Sequence, residues 1–81
     1  MSQAQTQLYG EPPTEALCNE LRRRGFEPRV GVCGDGATMV EAGGRAGTRI
    51  EMRPGESRVV CADFETGVLL REAVLELLTE L

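Results

Sequence analysis

Apolar and polar positions change period twice along the chain. Between Pro12 and Gly25, Leu17, Cys18 and Leu21 recur at the spacing of one helical face, which predicts an amphipathic helix. Pro12 and Pro13 suit its entry, Thr14 is the expected N-cap, and Gly25 the expected stop. From Pro28 to Phe64 the alternation is every second residue. It predicts four strands over residues 29–33, 37–42, 48–53 and 57–63. Thr48, Ile50 and Met52 then face one way and Arg49, Glu51 and Arg53 the other.

Glycine turns separate these strands at Cys33–Gly36, at Gly43–Gly47 and around Pro54-Gly55. Pro54 presets φ and Gly55 supplies the positive φ that a type II turn requires. Connections this short join antiparallel neighbours, so the strands should form a meander in sequence order. The helical period returns over residues 66–81, capped by Thr66 or Asp63, with Leu70, Ala73, Val74, Leu77 and Leu81 on one stripe.

The expected fold is therefore α+β. It is a two-layer sandwich in which a four-stranded antiparallel meander carries the N- and C-terminal helices on one face, in the order α-β-β-β-β-α. Residues 1–11, rich in Gln, Ser and Thr, read as a flexible tail, with Leu8 and Tyr9 as points where it can dock. Residues 12–81 read as a single domain. The aromatic residues are Phe26, Phe64 and Tyr9 alone, so the core is built from aliphatic side chains, and so lean a core in a chain of 81 residues invites association.

Composition then narrows the chemistry. The chain has nine Arg, no Lys, no His, three Cys and thirteen carboxylates. Without His there is no side chain that ordinarily titrates near neutrality, and without Lys no Schiff-base nucleophile and no P-loop lysine. Cys18, Cys33 and Cys61 are odd in number and unpaired by any CxxC spacing, which fits a reducing compartment. Cys18 and Cys61 fall at core positions; Cys33 abuts a turn, with no His to activate it. Neither a catalytic residue nor a metal site nor a cofactor is expected. The stretch GVCGDG lacks the glycine order and the following helix of a dinucleotide fingerprint. Residues 1–7 have no basic start and no apolar run, so no signal peptide is expected. No apolar run approaches the roughly 18 residues of a membrane span, so no membrane association is expected and the localisation reads as cytoplasmic.

Charge is segregated along the chain. Residues 1–21 carry −3, residues 22–58 carry +3, and residues 59–81 carry −4. Two surfaces follow. Arg29, Arg49, Arg53 and Arg58 lie about the open sheet face and are the candidate anion-binding set, for RNA or another anionic ligand. The helix–strand–helix order is similar in outline to double-stranded RNA-binding domains. Those domains have a Lys-rich start to their second helix, where this chain has Glu72, Glu76 and Glu80, and its strands lack stacking aromatics, so nucleic acid is not the expected partner.

The second surface is the last helix. Glu72, Glu76 and Glu80 recur at i, i+4 and i+8, with Glu65 in line before them, while Val68 and Leu75 fall on the side away from the core. A solvated acidic face accounts for the carboxylates alone; apolar residues on two sides of them are more than a sheet-covering helix needs. Glu65, Glu72, Glu76, Glu80, Val68 and Leu75 are thus the candidate partner-binding residues. The expected partner is another protein with a basic surface, with a homodimer through this helix as a further expectation. By size and charge alone, the chain is like the phage and mobile-element proteins that inhibit host nucleases or CRISPR effector complexes.

Overall fold

A computed structural model describes residues 4–43 and 47–80. Five strands and two helices follow in the order β1 (Ala4–Tyr9), α1 (Thr14–Arg23), β2 (Arg29–Val32), β3 (Thr38–Glu41), β4 (Arg49–Arg53), β5 (Glu56–Cys61) and α2 (Phe64–Thr79). The fold is α+β, with one antiparallel sheet in the order β1-β5-β4-β3-β2. The meander expected from sequence is β2 to β5. The expected count of four strands is corrected to five, because residues 4–9 form a strand and not a tail. Their partner is β5, with Thr6 opposite Val59 and Leu8 opposite Ser57.

Register explains what is buried. Val59, Ile50 and Val40 stand in one cross-strand row, and Ser57 and Met52 in the next. All five are at most 2% exposed. Leu8, Leu17, Cys18, Leu21, Leu70, Ala73, Val74 and Leu77 join the first three and Met52 in one apolar cluster, so both helices feed the same core. Burying each aliphatic side chain contributes on the order of 1.5–3 kcal/mol, which is where the stability of so small a domain must come from.

Local chemistry sets the ends of the helices. Leu17 N–H bonds the Pro13 carbonyl at 3.0 Å, which makes Pro13 the residue before the helix and Thr14 its first member; no side chain caps this end. The expected Thr14 cap is thereby corrected: Pro13 already holds the extended φ and ψ of the capping position. At the other end Gly25 adopts φ +90°, Gly25 N–H bonds Arg22 O, and Phe26 N–H bonds Leu21 O, a Schellman stop that turns Phe26 onto the core. For α2, Asp63 is the cap: its carboxylate accepts from the Thr66 backbone N–H at 3.1 Å and from the Thr66 hydroxyl at 2.9 Å.

The ends of β1 and β4–β5 are tied together. Gly10 N–H donates to Gly55 O at 2.8 Å, and the Ser57 hydroxyl donates to Gly10 O at 2.6 Å. Gly55 has φ +78°, as position i+2 of a type II turn demands. Residues 44–46 of the expected Gly43–Gly47 turn, and Leu81 of the expected core stripe, lie outside the described residues. No helix among the described residues is long and apolar enough to cross a membrane.

Candidate functional site

Two surfaces were expected to carry function, and the structure treats their charges differently. On the sheet, pleating puts Arg49, Glu51 and Arg53 on the face opposite the core. There they border a groove of about 700 Å³ that also takes in Val32, Cys33, Asp35, Met39 and Glu41. Arg53 reaches both sides: its guanidinium donates to Asp35 Oδ2 from Nε at 2.9 Å and to Glu51 Oε1 from Nη1 at 2.9 Å. Arg49 Nε donates to Glu51 Oε2 at 2.8 Å, and its Nη1 to Gly47 O at 3.3 Å.

Glu51, 7% exposed, is thus clamped between two guanidinium groups. The hydrogen bond from Arg53, then that from Arg49, holds its carboxyl below the usual carboxylate range against the opposing effect of burial. Asp35 is lowered likewise, by Arg53 first and then by the Ala37 N–H that its Oδ1 accepts at 3.1 Å. The same pairs raise Arg53 above its ordinary value.

An anion arriving at Arg49 or Arg53 must therefore displace a carboxylate already in place. Arg29 on edge strand β2, opposite Glu41, and Arg58 on β5, opposite Glu51, have no ion pair among the described residues. Of the four arginines named from sequence, Arg49 and Arg53 bond Glu51, Arg58 stands opposite it in register, and Arg29 lies two strands away on the sheet edge. A carboxylate kept ionised by two cations is also a poor general acid, so Glu51 is not poised to donate a proton near neutrality.

The thiols fit the same picture. Cys18 and Cys61 are buried and Cys33 is half-buried at the groove edge. Burial, and then the charge of Asp63, pushes the Cys61 thiol up, away from the reactive thiolate. Among the described residues no cluster of carboxylates and thiols is grouped to hold a metal ion.

On α2 the expected stripe is only partly free. Glu76 accepts from Arg24 Nη2, and Arg24 Nε donates to Glu20 at 2.8 Å, so Glu76 is fixed to the end of α1. Glu65, Glu72 and Glu80 are exposed and have no ion pair among the described residues. Val68 is exposed as expected, at 38%, whereas Leu75, expected away from the core, is half-buried and packs against it. Two residues that sequence reasoning left out complete the surface: Phe64 at 71% and Leu69 at 45% exposure. Phe64 is the first residue of α2 because Asp63 caps it, which places its ring one turn before Val68. The signal for it was the cap itself, an Asp three residues ahead of Thr66.

At about 100° per residue, Glu65 and Glu72 fall between Val68 and Leu69. The outward face of α2 is therefore apolar, acidic and apolar again across its width. Compared with protein-family models, with curated proteins and with solved structures, the chain matches none.

Proposed function

We propose that the protein is a small non-catalytic protein-binding module that docks a basic partner on the outward face of α2. The observation that carries this reading is the exposure of Phe64, Val68 and Leu69 around the carboxylates of Glu65 and Glu72, which have no ion pair among the described residues. Burying an aromatic ring is worth on the order of 1.5–3 kcal/mol, and most of that is still available at Phe64. Aromatic anchors ringed by polar groups are the usual energetic centres of interfaces. In this reading both helices cover one face of the sheet as a two-layer sandwich, leaving the far side of α2 for the partner.

The carboxylates select the partner's charge. A surface built to hold phosphates is basic, which makes a nucleic-acid-handling protein the proposed target and inhibition, in the manner of phage anti-CRISPR proteins, the proposed outcome. The free thiols fit a cytoplasmic setting.

The experiment is capture from the native host with a tagged chain, followed by mass spectrometry. The wild type should retain one specific protein, and retention should weaken with salt. Phe64→Ser, and separately Glu65→Gln with Glu72→Gln, should each lose it. Retention unaffected by both variants would overturn the reading.

A further inference from the structure

The edge strand β2 is unusually open. Among the described residues its outer edge pairs with no other strand, and although Pro28 and Arg29 guard its start, residues 30–32 carry neither a charge nor a Pro. Its hydrogen-bond parity can be worked out. Cys33 N–H donates to Ala37 O at 2.7 Å, continuing the β2–β3 register in which Gly31 is opposite Met39 and Arg29 opposite Glu41. Hydrogen-bonded pairs alternate along an antiparallel ladder, so Arg29, Gly31 and Cys33 turn their backbone groups toward β3. The N–H and C=O of Val30 and Val32 therefore point outward, with no partner among the described residues.

Their side chains are also unspent. Val30 continues the apolar row Val59–Ile50–Val40, yet it is 58% exposed where Val40 is fully buried, and Val32 is 68% exposed. The core row runs out at the edge of the sheet before its apolar residues do.

We propose that β2 pairs with itself: two copies of the chain join antiparallel along Arg29–Val32, about a two-fold axis at Gly31, into one continuous sheet. A second copy fits this edge on three counts. First, the axis sets Val30 opposite Val32 of the second copy, and both are residues whose backbone groups point outward, so four hydrogen bonds close without a register conflict. Second, all four valines fall on one face and extend the apolar row across the axis. Third, the charges are complementary. Arg29, on the groove face with no ion pair of its own among the described residues, comes opposite Cys33 of the second copy, beside that copy's Asp35. The residues lining the groove include three carboxylates, Asp35, Glu41 and Glu51, against Arg49 and Arg53; Arg29 stands opposite Glu41 of its own chain in the β2–β3 register and forms no ion pair with it.

So short a ladder buries less than the roughly 1,200 Å² of a standard interface, so the dimer is weak and concentration-dependent. It uses none of the α2 residues, so it stands or falls separately from the reading of that helix.

Sedimentation velocity on the full chain, with reductant present, tests it. A shift from monomer at about 10 μM toward dimer at about 1 mM is expected. Slowed amide exchange at Val30 and Val32 should accompany it. Val30→Lys and Val32→Lys alter exposed side chains, so they should keep the circular dichroism spectrum while raising the dissociation constant about tenfold or more. Arg29→Glu should also weaken the dimer, and Phe64→Ser should leave it intact. A chain that stays monomeric at about 1 mM, lysine variants that dimerise like the wild type, or a dimer lost with Phe64→Ser would each overturn the proposal.

Discussion

The Sγ of Cys61, on β5, sits where a side chain at Gly67 of α2 would begin: a Cβ built on Gly67 falls 2.5 Å from it. Gly67, in the first turn of α2, is thus a point of close approach between the helix and the sheet. Gly67→Ala should therefore destabilise the protein by about 1–3 kcal/mol instead of stabilising it. Cys61→Ala combined with Gly67→Ala should recover a large part of that loss. Urea unfolding of the singles and the double gives the coupling energy, and a coupling near zero would place the helix farther from β5 than the structure does.

Arg24 is the joint between the helices. It bonds Glu20, which is 6% exposed, and Glu76, which is half-exposed. Removing the cation leaves a nearly buried carboxylate with, among the described residues, only the exposed Arg23 to compensate it, at 3.0 Å. Arg24→Met should cost about 1–3 kcal/mol, whereas Glu76→Gln, at an exposed partner, should cost at most about 1 kcal/mol. Equal losses would mean that the contact between helices, not the burial of Glu20, is what Arg24 contributes.

Thr48, 2% exposed, has a hydroxyl oxygen with no hydrogen-bond partner among the described residues. A buried donor left unmade costs about 1–3 kcal/mol, and Val has the same shape and a higher strand preference. Thr48→Val should leave the fold unchanged and raise the melting temperature. A fall in stability would show that the hydroxyl has a bond that the described residues do not include.

What the sequence could and could not reveal follows from where each interaction lies. Strands β2 to β5 and both helices were legible because alternation, turn glycines and helical spacing are local. Strand β1 was not, for its Gln5, Thr6 and Gln7 carry little apolar contrast and its partner β5 is some fifty residues away. The outward placement of Val68 was legible from its helical angle. That of Phe64 was obscured by starting the helix at Thr66. Leu75 was misplaced because its angle says nothing about neighbouring elements. The capture of Glu76 by Arg24 and of Glu51 by Arg49 and Arg53 depends on tertiary geometry and on rotamers. Charge segregation along the chain predicted two separate surfaces, and only folding shows that two arginines of the basic one, Arg49 and Arg53, are neutralised from within.

That neutralisation has a pH signature. Asp35 and Glu51 both have carboxyl groups held below their ordinary values by Arg53. A group depressed in the folded state binds its proton less readily there than in the unfolded chain, so it stabilises the fold fully above its unfolded pKa, about 3.9 for Asp and 4.3 for Glu. The contribution is lost as the pH falls through the lower folded values. Stability should accordingly be flat with respect to these two groups from neutrality down to about pH 5, and should decline below it. Arg53→Gln removes the main cause of both shifts. The variant should be less stable than the wild type at pH 7, and the gap should close progressively as the pH is taken from about 5 toward 2. Denaturant unfolding of both proteins at stepped pH measures that gap directly. A gap that stays constant with pH would mean that Arg53 acts through packing of its aliphatic stem over the groove, and that the clamp on Glu51 contributes no electrostatic stability.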